Sequence, residues 1–163
     1  MLNRQPSRPL FRMPPSADLS ARSQTKLPVD TLPSSGVIAL VLPVPPSVNH
    51  QYATVNGRRL LSAAGRAYKA QVGQLILLTL SKIPNRPAIL SRLQSESLAL
   101  SIRFYFTSAL RRDVDGGLKI AQDALCEGLA INDNRIVETH LYKYVDKSFP
   151  RIEVSLTAAL TTT

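Results

Sequence analysis

The sequence predicts an α+β fold, a single domain in which a mixed β-sheet carries two main helices. Three observations predict it. Residues 98–106, Leu-Ala-Leu-Ser-Ile-Arg-Phe-Tyr-Phe, alternate in the manner of a half-buried strand. Leu118, Ala121 and Leu125 follow at helical spacing. The whole chain reads strand, hairpin, helix, strand, helix, then two strands. At 163 residues it is long enough for one core, and no apolar run approaches the length of a membrane span.

Residues 1–35 read as a tail. They hold six prolines, five basic residues and only two acids, with no apolar period. That composition fits a disordered extension, an organellar transit peptide, or a translation start placed too early. The domain is expected over residues 36–157, with a short tail at 158–163. Val37–Leu42 is an apolar run of strand type, stopped by Pro43, Pro45 and Pro46, which cannot donate to a ladder. Tyr52–Leu61 reads as a hairpin around Asn56-Gly57, with Arg58 and Arg59 beside the turn.

Ser62 is a suitable N-cap for a helix to about Lys82. Ala64, Tyr68, Val72 and Leu75 would form its apolar face, with Tyr68 in the core. Residues 84–97 read as a connection. After the strand at 98–106, residues 107–112 are a basic approach loop. The second helix ends near Gly128, a natural C′ residue. Ile136–Val145 is a strand, Asp146–Pro150 a turn, and Arg151–Leu156 a strand pairing back. Cys126 lies within the second helix and reads as a core thiol; a lone cysteine cannot form an intrachain disulfide.

The net charge is +9, of which the tail carries +3 and the remaining 128 residues +6. Basic character therefore belongs to the domain, which favours nucleic acid or another polyanion as partner.

The chemistry centres on Arg111-Arg112-Asp113-Val114-Asp115-Gly116-Gly117-Leu118-Lys119. On an extended backbone Asp113 and Asp115 would project to one side and converge, and a divalent cation relieves that repulsion. Asp133 follows the helix as a third carboxylate. These three would hold a hard, oxygen-liganded metal, Mg²⁺ or Mn²⁺. Lys119 would sit beside a scissile phosphate. Arg111, Arg112, Arg58 and Arg59 are candidates for DNA phosphate contacts.

Ordinary structural roles stand beside these. Asp113 or Asp115 would also suit the cap of the following helix. Asp133-Asn134 would suit a polar turn, Asp123 a pair with Lys119, and Asn49 a bond within its own turn. Other motifs fail on spacing. The twelfth position from Asp113 is Ala124, not the Glu of a calcium loop. There is no P-loop, and His50 and His140 lack cysteine partners for zinc.

The ordered set Arg112-Asp113-x-Asp115, Lys119, Asp123-Ala124-Leu125 and Asp133 resembles the RusA-type Holliday junction resolvases. Pro45-Pro46-Ser47-Val48-Asn49 with Tyr52, and Ser62–Tyr68, agree with that family's opening segments. The likeness covers roughly residues 37–156. It implies a RusA-like fold and a Mg²⁺-dependent endodeoxyribonuclease acting on four-way DNA junctions in recombination and repair. It also implies a homodimer, often phage-encoded and cytoplasmic, with no membrane and no small-molecule cofactor. Asp113, Asp115, Lys119 and Asp133 would be catalytic. The chain departs from the family at Gly116, where Asn is usual, and at Asn132, often an acid; its spacer to Asp133 is also a residue shorter. The rivals are a silent nucleic-acid-binding module and a less selective metal-dependent nuclease.

Overall fold

The computed structural model describes residues 38–109 and 113–160. The tail at 1–35 and the arginines Arg111 and Arg112 lie outside the described residues.

The four-stranded sheet runs in the order β1 (Ile38–Leu42), β6 (Arg151–Ala158), β4 (Leu98–Phe106), β5 (Ile136–Val145). β4 pairs antiparallel with β6 and parallel with β5, so the sheet is mixed. β4 is central, and its alternation buries Leu98, Leu100, Ile102, Phe104 and Phe106 on one face. β6 adds Ile152, Val154 and Leu156 to that face, and β1 adds Ile38, Leu40 and Leu42. Full burial of each such side chain contributes roughly 1.5–3 kcal/mol.

The helical layer is α2 (Ala63–Leu80) and α4 (Leu118–Leu129). α4 offers Ile120, Ala121, Ala124, Leu125 and Leu129 to the core. Cys126 is buried with them, and burial pushes its thiol up to about 11, so it stays protonated at neutral pH. α2 begins where Ser62 Oγ accepts from Gly65 N at 3.0 Å. Its buried stripe is Gly65, Tyr68, Val72, Ile76 and Leu80. Ala64 is exposed and Leu75 only half-buried, so the expected face is rotated by about one position. Tyr68 is a core residue, and its hydroxyl has no hydrogen-bond partner among the described residues.

The two-stranded ribbon of β2 (Tyr52–Val55) and β3 (Arg58–Leu61) turns through Asn56 and Gly57, both at positive φ. That is the hairpin geometry their side chains permit. One helical turn, α1 (Val48–Gln51), precedes it.

Three expectations need correction. The connection at 84–97 contains a helix, α3 (Arg86–Ser95), entered through Pro87 in its first turn. It buries only Leu93, so no apolar period announces it. β6 does not pair back on β5, because β4 lies between them. Alternation in β6 reveals which face is buried, not which neighbour lies alongside; the edge strand β1 alternates just as fully. Gly128 is not the C′ residue. It sits inside α4 where α2 crosses, and a Cβ there would meet Ile76 Cδ1 at 2.5 Å. The left-handed position is Ala130, at φ 53° and ψ 43°. Ile131 N–H reaches Cys126 O and Ala130 N–H reaches Glu127 O, closing a Schellman motif without glycine. Ala130→Gly is therefore expected to raise stability by about 1 kcal/mol, read as a higher denaturant midpoint at unchanged slope. A lower midpoint would contradict this account of the cap.

Candidate active site

β4, α4 and β5 form a β-α-β unit, and the acidic loop follows the carboxyl end of β4 before α4 begins. Sites in such units gather at carboxyl strand ends. Asp113 and Asp115 are both exposed there. The loop is not extended. Asp113 O accepts from Gly116 N at 3.3 Å, and Asp115 O accepts from Leu118 N at 2.9 Å. The two residues line separate depressions. Asp113 lines one with Pro45, Ser47, Val48 and Asn49. Asp115 lines the other with Leu118, Lys119, Gln122 and Asp123. Neither carboxylate caps α4, whose N-cap is Gly117 with no side-chain bond.

Lys119 Nζ donates to Asp123 Oδ1 at 3.1 Å. That bond and Asp123's charge hold the ammonium's pKa above its ordinary value; Tyr52 and Asp133 add to the effect, and slight burial opposes it. Tyr52 in turn carries the Arg59 guanidinium 4.3 Å above its ring. Tyr52 thus stands within reach of both the Lys119 and the Arg59 charge, and Arg58 beside Arg59 is exposed.

Asp133 lies past the other end of α4, in a short 3₁₀ turn (Asp133–Arg135) capped by Asn132 Oδ1 from Asn134 N. Although α4 lies between Asp133 and the acidic loop in sequence, Asp133 stays within electrostatic reach of Lys119 in its first turn. Among the described residues, no three His, Cys, Asp or Glu side chains meet closely enough to hold a metal ion. The expected convergence of Asp113, Asp115 and Asp133 is therefore absent in this conformation. The oxygen chemistry suits a hard cation, but the spacing does not.

Ion pairing nevertheless sets these three apart. The described residues include nine acids. Glu96, Asp123, Glu127, Glu138, Asp146 and Glu153 each have a Lys, Arg or His partner. Asp113, Asp115 and Asp133 have none among the described residues, although the chain carries a net +9.

Sequence reasoning misses two residues that build the site. Gln51 is 3% exposed, and its Nε2 donates to Pro46 O at 2.9 Å and to Gly116 O at 3.0 Å. It fastens the proline segment to the acidic loop across 65 positions. Nothing in the local pattern separates it from an exposed glutamine. Gly117 is the second: a Cβ there would lie 2.3 Å from Pro45 Cγ. Gly116 has no such restriction, its nearest neighbours being Asp113 O at 3.4 Å and Val48 Cγ2 at 3.8 Å. The departure from Asn at this position leaves room for a side chain.

Residues 43–157 match the family model described as Endodeoxyribonuclease RusA. The chain is 29% identical over 120 residues to the crossover junction endodeoxyribonuclease RusA of Escherichia coli strain K12, covering 73% of this chain and 92% of that protein. The Shigella sonnei protein of the same name shows the same identity and coverage. The protein so named in Enterobacteria phage 82 is 28% identical over 119 residues, 72% of this chain and 92% of its own.

Proposed function

Because this chain belongs to the RusA endodeoxyribonuclease family, we propose that it resolves four-way DNA junctions by paired, Mg²⁺-dependent nicks. In this reading it acts as a cytoplasmic homodimer, whose two-fold symmetry matches that of the junction. The observation that carries the proposal is the ion-pair pattern: among the described residues, the three acids without a cationic ion-pair partner are Asp113, Asp115 and Asp133. An exposed carboxylate left unneutralised in a basic domain has no structural task to explain it.

Asp113, Asp115 and Asp133 would hold the metal. Bound Mg²⁺ supplies a more acidic water and relief of charge on phosphoryl oxygens. Lys119, kept charged by Asp123, presents an ammonium to a backbone phosphate. Arg58, Arg59, Arg111 and Arg112 position the strands through phosphate contacts. Among the described residues, no helix is long and apolar enough to cross a membrane.

The test is cleavage of a labelled mobile four-way junction beside linear duplex of the same sequence. Paired symmetric nicks in Mg²⁺, lost in EDTA and restored by Mg²⁺ or Mn²⁺, are expected. Equal cleavage of duplex would leave a less selective nuclease. That no three acids cluster among the described residues favours a second reading, a binding module without catalysis. It predicts junction binding that weakens steeply with salt and no cutting in any divalent metal.

A further inference from the structure

The depression that Asp113 lines is a cavity of about 220 Å³. Pro45, Phe106 and Gly117 form its buried part, and Val48, Asn49 and Asp113 line it as exposed residues. Two devices build it. Gln51, the only buried polar side chain among the described residues, ties Pro46 O in one wall to Gly116 O in the other. Gly117 lets Pro45 close against the acidic loop, where any Cβ would collide with the proline ring. Asn49 is the unused polar group. Its side chain suits a bond within its own turn, yet its amide has no hydrogen-bond partner among the described residues. An amide offers two donors and an acceptor.

The lining selects the ligand. Among the described residues it includes no Lys or Arg, and its one charged group is the Asp113 carboxylate. A phosphate would be repelled there. A neutral planar ring would not: Phe106 and Pro45 would offer it apolar surface, and Asn49 would meet its polar edge. The volume falls below the roughly 300–1,000 Å³ of pockets for drug-sized ligands. It suits one ring system.

We infer that this cavity receives a single nucleobase of the bound DNA, extruded from its stack beside the phosphate to be cut, with Asn49 hydrogen-bonding the base's edge. The inference rests on the reading of the chain as a junction endonuclease and names a part of that substrate. Extrusion costs pairing and stacking energy, least where pairing is already weakened. A branch point interrupts the stack, so its flanking bases are the cheapest to extrude. The phosphates stay with basic side chains outside the cavity, and base and backbone are then held by separate groups.

The test is junction binding by the full chain in EDTA, so that affinity is read without cutting. One substrate is an intact four-way junction; the others each lack one base at a nucleotide flanking the branch point. Circular dichroism confirms that each variant folds. Val48 is 49% exposed, so a larger side chain there fills the cavity without entering the core. Val48→Trp is expected to weaken binding of the intact junction about tenfold, the worth of one stacked base. One abasic position removes that penalty, because no base is then left to enter. Asn49→Ala gives a smaller loss, relieved at the same position, and it decides alone if Val48→Trp does not fold. Losses that no abasic position relieves, or no loss in either variant, overturn the base site. They leave the nuclease reading to wild-type cleavage in Mg²⁺, measured on the same samples. A wild type that does not bind the junction overturns both.

Discussion

Asp115→Asn is expected to lower junction cleavage by about 10²-fold or more while leaving fold and junction binding intact. Two features of the site produce that combination. Asp115 is exposed and has no ion-pair partner among the described residues, so asparagine removes a charge without breaking a contact. Stability should stay within about 0.5 kcal/mol of wild type, as for other surface changes. Binding should hold or tighten slightly, because a negative charge facing phosphates is gone. Asp113→Asn and Asp133→Asn are expected to behave alike. The contrast is Asp123→Asn, which breaks a surface pair one turn apart on α4 and costs a few tenths of a kcal/mol. Single-turnover cleavage beside gel-shift binding separates the outcomes. Cleavage within threefold of wild type would remove that aspartate from the proposed machinery.

The second large effect belongs to Gly117. Its φ of −116° is open to any residue, so the requirement is space and not backbone freedom. An added Cβ would stand 2.3 Å from Pro45 Cγ and 3.2 Å from Pro45 Cβ, with Phe104 Cε1 at 3.5 Å. Neither the proline ring nor a buried β4 phenylalanine can swing aside cheaply. Gly117→Ala should cost about 1–3 kcal/mol of stability. Relief requires the proline segment to move away from the acidic loop, which strains Gln51's bonds to Pro46 O and Gly116 O. Cleavage should therefore fall with stability. Gly116→Ala, one residue earlier, should be nearly silent, since its Cβ meets only ordinary contacts. Paired denaturation curves decide the matter: equal midpoints for the two variants would show that the proline segment is not packed as described.

The sequence by itself determined much of the local structure. Asn56-Gly57 specified the hairpin because both residues tolerate positive φ. The hydroxyl of Ser62 specified the start of α2. The alternation of 98–106 specified a strand with one buried face. It also nominated three aspartates and a lysine as candidates in family order.

Tertiary structure decided what periodicity cannot carry. A two-residue period says which face of β6 is buried but not that β4 is its neighbour, because pairing is a long-range choice. α3 hid because burying only Leu93 leaves no apolar stripe to detect. Gln51 looks like any surface glutamine until the fold brings Gly116 O to it. Asp133 is 18 positions from Asp115 in sequence, beyond α4, and only the fold brings its charge within reach of Lys119. Residue types and spacings fix local geometry and chemical inventory; which groups meet depends on helix length, strand order and packing across segments far apart in the chain.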